Sequence, residues 1–261
     1  MTTPCTWVLL RGWTRDARHW LDVGDRLAAA SPGARVLAID LPGTGQAQAL
    51  RSPWTVRAMA QHVRGALRAA GAEPPYALLA VSMGGMVATA WANEWPDEID
   101  AAVLVNTSMR PFSPAWQRLR PSAYGRLMRA MVSGAAASEH LVLQLTSRLR
   151  ADDAALLHRW TAQRIARPVR PIDALAQLVA AARFSAPRRN PFRRVLLLTS
   201  ASDELVDTRC TLALARAWRC EVRSHPHAGH DLPLDDPQWV VTQTASLGHG
   251  VITKGRHDAG S

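Results

Sequence analysis

The residue with the clearest chemical potential is Ser82. Residues 77–81 are an apolar run, Ala-Leu-Leu-Ala-Val, and residues 83–95 read as a helix rich in small side chains, so Ser82 stands on the turn between them. A strand-to-helix turn of this kind lifts a hydroxyl clear of the sheet, and the first N–H groups of the helix point at whatever that hydroxyl attacks. The strand and helix leave such a turn almost in contact, which demands small residues two positions to either side. Gly84 supplies one, and Ala80 stands where glycine is the commoner choice, giving Ala-x-Ser-x-Gly. A serine here can also do no more than end a strand and cap a helix. To act as a nucleophile it needs a base to take its proton and an acid to orient that base.

Nine histidines are available. His230 lies in Pro226-His227-Ala228-Gly229-His230-Asp231, directly after the last apolar strand, and His225 and His227 are rivals on sequence alone. His19, His62, His140 and His158 fall in helices or helix starts, where a solvated surface is the default. Asp203 follows the apolar run Val195–Thr199 in Ser200-Ala201-Ser202-Asp203-Glu204-Leu205-Val206. It can serve as a helix N-cap, but Asp207 is better placed for that duty, which frees Asp203 to orient a base. Serine, aspartate and histidine in this chain order form one of the known arrangements of a hydrolytic triad.

These residues need a scaffold that gathers them at one edge. Buried strands are read at Trp7–Arg11, Arg35–Leu41, residues 77–81, Ala101–Val105, Arg194–Thr199 and Glu221–His225. Helices are read at Asp16–Ala30, Thr55–Ala70, after Ser82, at Thr208–Trp218 and at Asp236–Leu247, with Val56, Met59, Val63 and Leu67 repeating at helical spacing. Near-continuous apolar strands alternating with helices predict an α/β fold with a parallel sheet covered on both faces. In open sheets of this kind ligands bind beyond the carboxyl ends of the strands. Gly12, Ser82, Asn106 and Asp203 all fall at that edge. Between Val105 and Arg194 the alternation stops. Residues 107–190 show helical periodicity broken by Pro111, Pro114, Pro121, Pro168 and Pro171, too long a stretch for a loop. The expected organisation is a core of residues 1–106 and 191–248, a helical cap inserted at 107–190, and a flexible tail at 249–261.

The chain has 261 residues and a net charge of +10. Residues 110–194 hold 16 Arg against Glu139, Asp152, Asp153 and Asp173, while the remainder is slightly acidic. Arginine outnumbers lysine 30 to 1, a codon-bias signature, and no nucleic-acid-binding motif accompanies the charge, so no nucleic-acid partner is expected. Cys5, Cys210 and Cys220 fall in no metal or disulfide pattern, and no zinc or other metal site is expected. No secretory leader and no apolar run of spanning length is visible, which predicts a cytoplasmic protein with no membrane partner. It is expected to work as a monomer or homodimer.

Five stretches together resemble the α/β-hydrolase superfamily over about residues 6–248: Arg11-Gly12-Trp13, Asp40-Leu41-Pro42-Gly43-Thr44-Gly45, Val81-Ser82-Met83-Gly84-Gly85, Ser202-Asp203-Glu204-Leu205-Val206 and His227-Ala228-Gly229-His230. The flavour is that of the small capped carboxylesterases, including the pimeloyl-ester esterases. The resemblance implies an α/β-hydrolase fold with a sheet of about six strands, the usual N-terminal hairpin being absent. It makes Ser82 the nucleophile, His230 the base and Asp203 its orienter, with the backbone N–H groups of Trp13 and Met83 as oxyanion hole. Arg11 replaces the usual histidine before Gly12, and a salt bridge to a loop acid such as Asp40 is the preferred reading over contact with an anionic substrate. Thr44 replaces a second histidine, with a local structural effect. Gly12, Arg11, Asn106, Phe112, Trp116 and Tyr124 are candidate pocket residues; Met109, Leu119, Leu127 and Met128 are further candidates for the roof. Asn106 can donate to substrate or simply turn the chain. The implied activity is hydrolysis of a small-molecule carboxylic ester through an acyl-enzyme, without cofactor. C–C bond hydrolysis, lactone opening and acyl transfer on the same triad are alternatives, as is a non-catalytic ligand receptor.

Overall fold

The computed structural model describes residues 6–248. The tail expected from His249 and the residue Cys5 lie outside the described residues. β1 (Thr6–Leu10) leads through a one-turn 3-10 helix at Ala17–Trp20 into α1 (Val23–Ala30) and β2 (Arg35–Ala38). α2 (Val56–Ala69), β3 (Tyr76–Val81), α3 (Met83–Glu94) and β4 (Ile99–Val105) follow. Five helices come next: α4 (Ala115–Arg118), α5 (Pro121–Val132), α6 (Ala135–Thr146), α7 (Ala154–Ala166) and α8 (Pro171–Arg183). The chain then returns to the sheet through β5 (Arg194–Ser200), α9 (Thr208–Trp218), β6 (Glu221–His225), α10 (Leu232–Asp235) and α11 (Pro237–Gly248).

The six strands form one parallel sheet in the order β2-β1-β3-β4-β5-β6. Side chains alternate between its faces, as a period of two requires, with one irregularity on β4 between Ile99 and Ala101. Val8, Leu10, Leu78, Ala80, Ala102, Leu104 and Leu197 pack under α2, α3 and α9 against Met59, Val63, Val87, Trp91 and Leu214. Trp7, Leu9, Leu79, Val81, Val103, Val105 and Leu198 pack on the opposite side against Val23 and Leu27 of α1 and Val240 and Val241 of α11. With both faces covered, the central strands have no polar side to show, which is why they read as unbroken apolar runs. The two edge strands are less buried and carry Arg35, Glu221 and Arg223.

Two expected elements differ in detail. The helix read at Asp16–Ala30 is two pieces: Asp16 caps the 3-10 turn by accepting from Arg18 N, and Leu21 at φ +51° breaks the path before α1 begins. The second strand stops at Ala38 because Asp40 is drawn into the following loop, where its carboxylate accepts from the amides of Ala17 and Gln46 at 2.6 and 2.7 Å. In the helical insertion, Pro121 and Pro171 act as starters, each in the first turn of its helix where a missing N–H has no cost. Among the described residues no helix is long and apolar enough to cross a membrane. No group of three His, Cys, Asp or Glu among them is placed to hold a metal ion, and Cys210 and Cys220 are free thiols.

Candidate active site

Ser82 has φ +54° and ψ −117°, a conformation rare for any residue with a Cβ. The surroundings hold it there. Its N–H donates to Val105 O at 2.8 Å, and its carbonyl accepts from Thr107 Oγ1 at 2.9 Å and from Gly85 N at 3.0 Å. Gly84 is obligatory: a Cβ there would stand 2.5 Å from Leu10 O and 2.8 Å from Arg11 O. Gly12 faces the serine so closely that a Cβ would lie 3.2 Å from Ser82 Cβ. Ala80 is wholly buried and fits without strain in place of the commoner glycine. The Ser82 side chain makes no capping bond, and residues held in such sparsely populated conformations cluster at functional sites.

His230 and Asp203 meet at the same edge. Asp203 Oδ2 lies 2.7 Å from His230 Nδ1, and Asp203 Oδ1 accepts from Leu205 N and Val206 N, both at 2.8 Å. Both side chains are buried. A carboxylate on Nδ1 fixes the tautomer that leaves Nε2 free to accept a proton. Ser82 and His230 wall one cavity. The rival histidines point elsewhere. His225 Nδ1 accepts from the amides of His227 and Ala228, its Nε2 faces Asp236 Oδ2 at 3.3 Å, and His227 is exposed.

The loop carrying His230 is pinned by groups that spacing alone does not reveal. Asn106, at φ +47°, donates through Nδ2 to His230 O at 2.8 Å and to Ser200 Oγ at 2.9 Å, and accepts from Ser200 N at 2.9 Å. It therefore ties β4, β5 and the histidine loop together and is spent as a substrate donor. Arg11 forms a two-pronged ion pair with Asp231, Nη1 to Oδ1 at 3.0 Å and Nη2 to Oδ2 closer still. The expected partner Asp40 is already occupied by the Ala17 and Gln46 amides. Burial alone would raise the Asp231 carboxyl, but the guanidinium of Arg11 outweighs it and holds the group below the usual carboxylate range. Asp235 accepts from Gly229 N at 2.6 Å, from Arg148 N at 2.9 Å and from Ser147 Oγ. Thr146 O in turn accepts from Asp231 N at 2.7 Å, so the end of α6 is clasped to the histidine loop.

A second clasp reaches the loop after β1. Trp13 Nε1 donates to Ala174 O at 2.8 Å, and Thr14, at φ +58°, donates its N–H to Gln177 Oε1 at 2.9 Å. Gln177 is fully buried on α8 and donates to Pro42 O at 3.3 Å. The amide of Met83, first residue of α3, belongs to the helix-start N–H groups that have no intrahelical acceptor.

Ser82 stands between two spaces. On one side is a cavity of about 450 Å³, almost wholly apolar, walled by Met83, Met86, Leu119, Leu127 and Leu205, with Tyr124 and Met128 at its exposed rim. On the other is a chamber of about 70 Å³ walled by Arg11, Gly12, Arg15, Thr146 and His230. Of the expected pocket residues, Tyr124, Arg11 and Gly12 line these spaces. Phe112 does not: its ring packs edge-on against Trp218 at 6.1 Å, on the α9 side of the sheet. Trp116 is 63% exposed and outside the cavity wall, and Met109 is buried in the core.

Residues 8–237 match the family described as the alpha/beta hydrolase fold, and the chain belongs to that family. Solved structures of similar shape include a serine hydrolase from Cycloclasticus zankles, with TM-score 0.78, 19% identity and coverage of 96% of this chain and 92% of that one. The enol-lactonase from Burkholderia xenovorans gives TM-score 0.76, 19% identity and coverage of 94% and 92%. A thermophilic esterase from Thermogutta terrifontis gives 0.71, 21%, 95% and 90%. A homoserine O-acetyltransferase from Geotalea daltonii is 40% identical over 75 residues, a span of 28% of this chain and 20% of that protein. Among these similar proteins are hydrolases, an esterase and an acyltransferase.

Proposed function

We propose that this hydrolase cleaves carboxylic esters through Ser82, His230 and Asp203. The observation that carries the reading is the 2.7 Å Asp203–His230 pair, whose imidazole shares a cavity wall with the strained serine. In the first step His230 Nε2 takes the proton of Ser82 Oγ as the oxygen bonds to the ester carbonyl carbon. Asp203, held by two backbone amides, stabilises the imidazolium. The amides of Trp13 and Met83 receive the oxyanion, a contribution of about 3–4 kcal/mol for each such donor. The tetrahedral species collapses, the alkoxide leaves with the proton from His230, and an acyl-serine remains. Water then gives a proton to His230 as it attacks the acyl carbon, and the second tetrahedral species collapses to the free acid as Ser82 Oγ takes that proton back. The helical insertion serves as a cap, and the apolar cavity beneath it accepts the hydrophobic arm of the ester. The chemistry needs no metal and no organic cofactor, because the base and the amides supply the activation.

The test is labelling by a fluorophosphonate probe together with turnover of p-nitrophenyl esters. Wild-type protein labels stoichiometrically at Ser82; Ser82→Ala neither labels nor turns over. His230→Ala loses at least about a thousandfold in kcat, while His227→Ala keeps its rate. Absence of labelling in the wild type defeats the proposal and favours a ligand-binding role. Acyl transfer is a second reading, supported by the local likeness to the acetyltransferase. It predicts that an added alcohol competes with water for the acyl-serine.

A further inference from the structure

The small chamber beside Ser82 is built differently from the large one. Arg15 lies in its wall. Arg15 Nη1 donates to Glu139 Oε2 at 2.7 Å and meets His19 Nε2 at 3.0 Å, and its guanidinium lies over the Trp160 ring at 4.3 Å. Its other terminal nitrogen, Nη2, is buried with no hydrogen-bond partner. Leaving such a donor unpaired in a protein interior is costly.

No neighbouring carboxylate is left to satisfy it. Glu139 is shared, its Oε1 accepting from Arg164 at 2.9 Å. Burial would raise the Glu139 carboxyl, yet the two guanidiniums hold it below the usual range and keep it ionised. Asp231 is engaged by Arg11 through both oxygens, and Asp16 by Arg18 through both of its own. His19 is pushed down, by burial first and then by the Arg15 cation, so it stays neutral and adds no further positive charge. Two guanidiniums thus lean on one carboxylate, Arg15 in the wall of the space that Ser82 and His230 line and Arg164 in the wall of a second space.

A second orphan lies close by. Ser138 Oγ on α6 is buried without a partner, and Ser138 lines a space of about 80 Å³ together with Arg164, Trp13 and Thr14. Trp13, Thr14, Leu127 and Val142 wall this space and the first chamber alike, so the two adjoin. A cation with an unused donor, a hydroxyl with an unused lone pair and proton, and a confined volume make a receptor for a small planar anion.

We propose that this double chamber is a subsite for a carboxylate on the short arm of the substrate. The preferred ester is then anionic at one end and apolar at the other, the apolar arm filling the cavity of about 450 Å³. This rests on the reading of Ser82 as nucleophile. The matched probes are monohexyl glutarate and hexyl pentanoate, which differ only in a terminal carboxylate against a methyl group.

Wild-type protein is expected to favour the anionic ester in kcat/KM by about tenfold or more. Arg15→Met collapses that ratio toward one, Ser138→Ala lowers it a fewfold, and Arg223→Met, at a half-buried arginine on β6 that lines neither chamber, leaves it unchanged. The ratio persists from about 0.05 to about 0.5 M salt, because a buried contact is screened far less than a surface field. A wild type without the preference, or an Arg15→Met variant that keeps it, overturns the proposal, as does a preference that salt abolishes. Should Arg15→Met fail to fold by circular dichroism, Ser138→Ala decides, since its hydroxyl has no partner to lose. Fluorophosphonate labelling separates the two readings. Labelled protein without the preference loses only the subsite. Unlabelled protein loses the hydrolase reading, and thermal stabilisation by glutarate, lost in Ser138→Ala, then reports the subsite alone; its absence overturns that as well.

Discussion

Gln177 offers a direct test of how the loop carrying the Trp13 amide is held. Its Oε1 is the acceptor for Thr14 N at 2.9 Å, next to the Trp13 amide proposed to receive the oxyanion, and it sits on α8 with no exposed surface. Gln177→Leu conserves most of the volume and removes the acceptor. The orphaned Thr14 N–H then costs about 1–3 kcal/mol if the loop stays in place, and the loop relaxes if moving costs less. Full loss of the Trp13 donor would raise the barrier by about 3–4 kcal/mol. Trp13 Nε1 still anchors to Ala174 O, so a partial loss is expected. We expect kcat for a p-nitrophenyl ester to fall about 10- to 100-fold while KM changes little. Affinity for an aryl trifluoromethyl ketone, which mimics the tetrahedral state, should fall in step with kcat. Gln177→Glu recovers most of the loss, because a carboxyl kept protonated by burial still offers an acceptor to Thr14 and a donor to Pro42 O. A Gln177→Leu enzyme that is less stable by denaturation yet unchanged in kcat and in ketone affinity would refute the reasoning.

Asn106→Ala removes the bonds joining Ser200 to the His230 carbonyl and should lower kcat about tenfold and reduce the melting temperature in calorimetry. Gly84→Ala drives a Cβ to 2.5 Å from Leu10 O, and the expected result is loss of probe labelling or of the folded state by circular dichroism. The Asp231 carboxyl is depressed in the folded protein, so its contribution to stability is present above the unfolded value of about 4 and is lost as pH falls through the lower folded value. Urea denaturation between about pH 7 and pH 3 should therefore show a shallower loss of stability in Asp231→Asn than in wild type. Arg11→Met strands the buried carboxylate and should cost up to about 3–5 kcal/mol at neutral pH in the same assay.

The sheet was legible because its central strands are buried on both faces and its helices have a repeating apolar stripe, both of which are periodic in sequence. Ser82 was legible because the small residues at 80 and 84 are local to its turn. Asp203 was reached from chain order and the sheet edge, His230 was separated from His225 and His227 only by the family resemblance, and their meeting at 2.7 Å joins residues 27 apart. Tertiary partners had no such trace. Arg11 and Asp231 are 220 positions apart, and the nearer acid, Asp40, looked available only because backbone amides leave no mark in a list of side chains. Gln177 carried no signal, as a lone glutamine on an amphipathic helix reads as surface. Phe112 and Trp116 failed for the opposite reason: aromatic character marks a residue that buries area, without stating which face it buries.

These contacts share a direction that bears on how substrate choice can change. The insertion reaches the groups around Ser82 at three separate points: Ser147 and Arg148 after α6 donate to Asp235, which also holds the histidine loop, Gln177 and the Ala174 carbonyl of α8 grip the loop after β1, and Glu139 of α6 pairs with Arg15 in the wall of the chamber that Ser82 lines. An insertion that only roofed a pocket could be replaced freely, with the cost confined to KM. Here the same helices set the position of the groups around Ser82, so replacing them must alter kcat too. Exchange of residues 107–190 for the insertion of another family member, with Asp173, Ala174 and Gln177 restored on the new last helix, should recover turnover that the plain exchange loses. Equal kcat in both chimeras would mean that the core alone holds its loops.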